Sequence, residues 1–465
     1  MDTAKSRGED EVVYYKLFYG TLLRQSRDGV FTPWMAKGVE VIDPHTVKIA
    51  LREGVRFSDG AAFDAEAVRT SLLRARSPLT PTAQAVLAPG LRQVDVVEVI
   101  DPLTAVVKLS QPLAGQFYVE LSSVAGAIMS PKQIAANPDQ IDTMPVGAGP
   151  FTVTENKPGQ RLSVRKNPDY WDADNVHLAG VDIINTPTGP QHANGLLSGK
   201  LDWASYVSVN SAEAIDANDK FATEISNVYN IYLNMCTAES PFNNEKFRKA
   251  VQVGIDRERF SKLVYGGLAE PAYSLLPEDS AAFDPDLKKS IEYDPERSKQ
   301  LVAESGVTAP ISLHYPATLN FGVESETLQA QFARLGVHVD ITSDRDVMAG
   351  FIVPKKPGAL LSFYSGSRTF RQFDTYFGPG SPMALCGVDR PDIMEAVRTA
   401  ASVTPGDPTA IASYQAAAKL IAESAYLIPV VTYPNVQGWN TDRVEGNPTF
   451  DAFGLLNIDS LHIKK

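Results

Sequence analysis

Residues 45–51 (HTVKIAL) alternate polar and apolar positions between turn residues, and 103–109 (LTAVVKL) repeat the pattern behind Asp101-Pro102. Such alternation predicts strands with one buried face. Between them, 63–75 (FDAEAVRTSLLRA) switch to helical spacing. Val68, Leu72 and Leu73 share a face there, and Asp64 stands where a side chain caps the first free N–H groups. Residues 151–156 and 161–167 read as a hairpin around Lys157-Pro158-Gly159. From about residue 240 the apolar period lengthens. Phe247, Ala250, Val251, Phe260 and Val264 predict one helix over 247–265, stopped by Gly266-Gly267. In 294–306 (DPERSKQLVAESG) Pro295 opens a helix and Gly306 follows its end. Residues 325–336 read as a helix with a glycine stop, 337–341 as a strand, and 407–425 as another Asp-Pro-initiated helix. Helices alternating with strands predict an α/β lobe in the second half.

A chain of 465 residues exceeds what one hydrophobic core organises, so two or three lobes are expected. No stretch reaches the roughly 18 consecutive apolar residues of a membrane span. The net charge of −12 comes without a basic run, which argues against nucleic acid and anionic membranes as partners. There are two cysteines, Cys236 and Cys386, a usage that suits a compartment where free thiols are avoided. The opening MDTAKSRGEDEVV is polar and has no signal-peptide pattern.

Catalytic motifs are missing. No phosphate loop G-x-x-x-x-G-K-[ST] occurs, and 146–151 (VGAGPF) lack the third glycine and the strand–helix setting of a dinucleotide site. The nearest run to a nucleophile elbow, 365–368 (SGSR), does not fit one. Histidines 45, 177, 192, 314, 338 and 462 are dispersed, without metal-ligand spacing. The acids of 171–175 (WDADN) read as a turn rather than a calcium loop. Nothing calls for an enzyme, a metal or a cofactor.

Three ordered blocks carry a resemblance. The first is 17–75, in which Leu51-Arg52-Glu53-Gly54-Val55-Arg56-Phe57-Ser58-Asp59-Gly60 follows the pattern LRxGVxFxDG. The second is 145–172, from PVGAGP to NPDYW, and the third is 232–260, from YLN to IDRERF. Together they resemble the family 5 extracellular solute-binding proteins, the peptide- and nickel-binding receptors of ABC importers. Locally the blocks read as scaffold: Asp59-Gly60 is a turn signal, and Gly147 and Gly149 suit a sharp loop before Phe151.

The resemblance implies an α/β, periplasmic-binding-protein-like two-lobe fold (type II, cluster C) with an additional inserted lobe. Lobe I would comprise 1–16, 146–228 and 436–465, lobe II 17–145, and lobe III 229–435. Crossovers near 227–233 and 429–433 would form the hinge, and solute would bind between lobes I and III. The implied partners are a small solute and the ABC permease subunits, with the receptor a monomer. The implied location is extracytoplasmic, in the periplasm or at the surface as a lipoprotein, with the signal segment upstream of Met1.

In peptide-binding relatives the loop matching 362–381 carries an aspartate that meets the peptide ammonium. Aligning Asp374 on that loop places Thr369 where the aspartate belongs, flanked by Arg368 and Arg371. Arginine forks suit carboxylates and phosphates, which points to an anionic or N-blocked solute. The same arginines could instead face solvent or pair with Asp374. The candidate ligand set from this loop is Tyr364, Ser365, Gly366, Ser367, Arg368, Thr369, Phe370, Arg371 and Asp374. Trp203, Tyr206 and Tyr229 join it, with core or hinge packing as their alternative. All four tryptophans (34, 171, 203 and 439) fall outside lobe III, which weakens a sugar-binding reading. A Cys236–Cys386 disulfide and a pair of buried free thiols are both open. A sensor or chaperone of the same fold, or a receptor for a sugar or metal chelate, are the alternative functions.

Overall fold

The computed structural model describes residues 1–6, 11–80, 90–186, 189–276, 278, 280–364, 373, 376–377, 383, 385, 390–446, 448–452 and 454–464. The chain divides into two compact units. Unit 1 is Met1–Glu224, Ala400–Ala410 and Gln437–Lys465; unit 2 is Ile225–Thr399 and Ile411–Val436.

In unit 1, strands Ala36–Asp43, Thr46–Leu51, Thr104–Leu109 and Val94–Asp101 form an antiparallel sheet in that order. The alternation read from sequence is the alternation of its faces. Val47, Ile49, Leu51, Ala105, Val107 and Leu109 are buried, while Lys48 and Lys108 are exposed. Helix Ala65–Arg76 packs on this sheet, and the Asp64 carboxylate accepts the Ala67 N–H, as an N-cap should. Phe151–Lys157, Arg161–Lys166 and Gly180–Ile184 make a second antiparallel sheet. Its first hairpin turns at Gly159, whose φ of +72° suits glycine.

The first two resemblance blocks lock into one another. Ser58 N–H, from the first block, donates to Gly147 O, from the second (2.9 Å), and Gly149 N–H donates to Phe18 O (2.9 Å). Asn167 amide Nδ2 donates to Gly149 O (2.9 Å). Trp34 Nε1–H donates to the Tyr170 hydroxyl (2.7 Å), and Arg52 Nε–H donates to Trp34 O (2.6 Å). The Arg52 guanidinium also lies 3.9 Å over the Trp171 ring. The glycines of VGAGPF thus serve close backbone packing, since a methyl group at Gly147 would sit 1.8 Å from Phe18 O. Distant chain segments complete this unit: Lys16 pairs with Asp451 at 2.5 Å in a nearly dry setting, and Arg24 pairs with Asp459.

Unit 2 is built on a six-stranded sheet whose strands run Trp203–Val207, Leu427–Asn440, Phe221–Met235, Ala359–Tyr364, Ile311–Pro316 and Val339–Asp344, the first being contributed by residues of unit 1. Phe221–Met235 and Ala359–Tyr364 are antiparallel, whereas Ile311–Pro316 is parallel to each of its neighbours. The two long strands Phe221–Met235 and Leu427–Asn440 carry the chain from one unit to the other, and they contain the expected hinge positions 227–233 and 429–433.

Two differences from the sequence reading have physical causes. The single helix expected over 247–265 is two, Glu245–Val253 and Arg257–Tyr265. Asp256 leaves the helical region and caps the second helix by accepting the Arg259 N–H, so the apolar spacing survives a break in the backbone. Second, residues 400–410, expected in lobe III, cluster with unit 1. Gln116 N–H donates to Ala401 O (3.0 Å), and Gly115 leaves room for the Val403 carbonyl, 1.7 Å from where a methyl group would be.

Candidate functional site

Each unit carries an aromatic cluster containing or adjoining expected ligand residues. In unit 1, the Trp203 and Trp439 rings stack at 5.0 Å and 6°, with Phe450 6.1 Å from Trp203. Trp203 Nε1–H donates to Gln437 Oε1 (3.2 Å), which fixes the ring's rotation. Trp203 remains half-buried. Tyr206, at the far part of the same strand Trp203–Val207, is 44% exposed and held at φ +56°, a region costly for a bulky residue. Its carbonyl lies 3.1 Å from His192 Nδ1.

In unit 2, Tyr229 is buried and meets the Phe363 ring edge-on at 5.8 Å. Phe363 stacks on Tyr433 at 5.5 Å and 15°, and Tyr433 meets Tyr265 at 6.0 Å. Phe321 closes the group, 6.1 Å from Phe363. The Tyr265 hydroxyl donates to Glu324 Oε1 at 2.7 Å, both residues being buried. Loss of solvent raises the Glu324 carboxyl above the ordinary carboxylate range, partly offset by the Tyr265 hydrogen bond. Loss of solvent also raises the phenols of Tyr265 and Tyr433, and the nearby Glu324 carboxylate adds to both shifts.

Tyr232 is buried as well, and meets the Tyr376 ring at 5.6 Å. The backbone of Tyr364 pairs with Asn230. Ser365, Gly366, Ser367, Arg368, Thr369, Phe370, Arg371 and Asp374 lie outside the described residues, as does Cys386. Glu324, Tyr265, Phe363 and Tyr433 were absent from the sequence-based set. A glutamate in the first turn of a helix ordinarily complements the helix dipole, and only the fold shows that this one is buried among rings.

Cys236, fully buried just past strand Phe221–Met235, is disulfide-bonded. Alkylation of the denatured, unreduced protein is expected to add no label, and alkylation after reduction two. Two labels before reduction would refute a Cys236–Cys386 bond.

The fold is the two-lobe periplasmic-binding-protein class. Solved structures that share it include HbpA2 from Haemophilus parasuis, at TM-score 0.84 and 18% identity over 100% of this chain and 97% of that one. NikA from Brucella suis in complex with Fe(III)-EDTA follows at TM-score 0.83 and 21% identity, covering 97% and 95%. The dipeptide-binding protein from Pseudoalteromonas sp. SM9913, in complex with Met-Leu, has TM-score 0.79 and 21% identity over 100% and 97%. In sequence, residues 30–381 match "Bacterial extracellular solute-binding proteins, family 5 Middle". The glutathione-binding protein GsiB of Salmonella paratyphi A is 28% identical over 362 residues, spanning 76% of this chain and 69% of the relative. The chain belongs to the family 5 bacterial extracellular solute-binding proteins. It is the solute-capturing subunit of an ABC importer, in a family of binding proteins that act outside the cytoplasm. Among the described residues no helix is long and apolar enough to cross a membrane.

Proposed function

We propose that this receptor captures a small peptide or peptide-like solute, acidic or N-blocked where it meets the 364–374 segment, and delivers it to a permease without altering it. The observation that carries this reading is the family match over residues 30–381, joined to relatives named for glutathione. Arg368 and Arg371 support the acidic preference through the forked hydrogen bonds that guanidinium makes with carboxylates. Trp203 and Tyr206 are the unit 1 side chains assigned to solute contact, because they are part-exposed and held in set orientations. The lobes move about the two long strands, at 227–233 and 429–433, and the receptor acts as a monomer, free in the periplasm or lipid-anchored.

A hydrolytic reading has one observation in its favour. Ser312 Oγ lies 2.9 Å from His314 Nε2, and His314 Nδ1 lies 2.7 Å from Asp344 Oδ2, the order of a hydrolytic triad. These residues sit within adjacent strands rather than on an exposed turn, and Phe351 stacks on the imidazole at 4.2 Å. We assign them to packing between the strands. Native mass spectrometry of gently purified protein tests both readings. The expected result is one retained peptide-like solute whose mass is unchanged after incubation. A sugar or metal chelate would refute the peptide class, and a shrinking solute mass that persists until Ser312→Ala would refute transport without chemistry.

A further inference from the structure

His192, on helix Gly189–Leu197, has a backbone carbonyl at each of its ring nitrogens. Nε2 lies 2.9 Å from Thr186 O, just ahead of the helix. Nδ1 lies 3.1 Å from Tyr206 O, on strand Trp203–Val207. A carbonyl oxygen can only accept, and a neutral imidazole has one N–H to give. Both contacts are hydrogen bonds only when both ring nitrogens carry protons. With one proton, a nitrogen lone pair faces one of the oxygens, and that bond is lost.

The carbonyl at Nδ1 belongs to the residue where the strand departs from its own period. An unbroken strand that buries Ala204 would also bury residue 206 and expose residue 207. Here Ala204 and Val207 are buried and Tyr206 is 44% exposed. The φ of +56° at Tyr206 makes that exchange. A bulky residue keeps such a φ only where its surroundings enforce it. The His192 ring is one such constraint, anchored at its other edge to Thr186 O.

We propose that His192 is the positioning residue for Tyr206. With two protons it donates to Thr186 O and Tyr206 O together, and this holds the Tyr206 side chain outward for the solute. This deepens the reading that gives Tyr206 to solute contact, and rests on it. Capture becomes sensitive to acidity. As pH rises through the range where imidazoles lose a proton, one bond goes, the Tyr206 backbone is released and affinity falls. The His192 helix packs on strand Trp203–Val207, which has no charged residue, and on helix Val209–Asp216, which brings Glu213 and Asp216, both exposed. The loop between helix and strand brings Lys200 and Asp202, the latter paired with Arg443.

Two readouts on the full chain need no solute. In NMR with labelled histidine and tyrosine, the His192 ring nitrogens and the Tyr206 carbonyl should titrate with one midpoint. The Tyr206 signal should stay still in His192→Gln, whose amide can donate one bond at any pH. In a double-mutant cycle, His192→Ala should raise the unfolding constant about fivefold, but less than about twofold beside Tyr206→Gly, because glycine takes a positive φ unaided. A Tyr206 carbonyl unmoved as the ring loses its proton, or equal losses in both backgrounds, would overturn the proposal. The third readout is calorimetry with the dipeptide Met-Leu and with glutathione. For a probe that binds, wild type should exceed His192→Gln in affinity by about threefold or more at pH 6, the worth of one hydrogen bond, and match it at pH 8. The probe's own ionisation cancels in that ratio, and a ratio that does not change with pH also overturns the proposal. Tyr206→Ala should bind about tenfold more weakly. If it binds as wild type does, the contact reading has failed, and if neither probe binds, the peptide reading has failed. In either case the NMR titration and the cycle still decide whether His192 positions Tyr206.

Discussion

Arg257→Ala is expected to lower the stability of unit 2 by about 3–5 kcal/mol, a size reserved for broken buried networks. Its guanidinium is fully buried, and the hydrogen bonds it makes go to backbone carbonyls. Nε–H donates to Ala272 O (2.8 Å) and Pro429 O (3.1 Å), and Nη1 reaches Gln252 O, Ile255 O and Ile291 O at 3.3–3.5 Å. The Tyr273 ring lies 5.1 Å away. Burial pulls its pKa down to about 10, which leaves it a cation at neutral pH. One planar fork therefore ties five carbonyls from four chain segments together, and alanine would strand them around a void. Lysine, a point charge on a flexible stem, cannot reproduce the fork and should recover little. Since 1 kcal/mol moves the midpoint of a domain this size by roughly 2–4 °C, the shift should be about 10 °C, readable by scanning calorimetry. A loss under about 1 kcal/mol would show that the carbonyls find water instead.

Gly147→Ala should destabilise unit 1 by about 3 kcal/mol or more, the upper end for overpacking, because the obstacle is backbone rather than a movable side chain. The new methyl group would stand 1.8 Å from Phe18 O and 2.5 Å from the Phe18 carbonyl carbon. Relief requires the loop to withdraw, which stretches the bonds Gly149 N–H to Phe18 O and Ser58 N–H to Gly147 O. Gly159→Ala in the same block offers a contrast. Nothing lies within 4 Å of its added methyl group, and the remaining penalty is the φ of +72°, about 1–2 kcal/mol. Chemical denaturation of the two variants side by side checks the order, and a Gly147→Ala loss no larger than that of Gly159→Ala would contradict the steric account.

What was legible in the sequence follows from how each feature is encoded. Thr46–Leu51 and Thr104–Leu109 announce themselves because one face is dry and the other wet. Helices Ala65–Arg76 and Pro295–Ser305 do so because their caps are local: Asp64, Asp294 and Gly306 act on backbone three residues away or fewer. The break between Val253 and Arg257 was hidden because the apolar spacing runs on across it. The family blocks were legible as motifs, yet their purpose was not. Gly147 looks like a loop residue until Phe18, over a hundred positions earlier, is seen against it. The candidate site was the least legible part. Trp203 was named without its partner Trp439, and Glu324 was passed over because helix pattern says nothing of what surrounds a side chain.

Unit 1 is assembled from both extremes of the chain, and this sets an order on its folding during synthesis or vectorial passage through a membrane. Lys16 waits 435 positions for Asp451, and Arg24 waits as long for Asp459. Trp203 stacks only after Trp439 has emerged. All of unit 2 lies within Ile225–Val436, so its residues have all been made before the last segment of unit 1. The last thirty or so residues of the chain therefore complete unit 1 only once everything before them has been made.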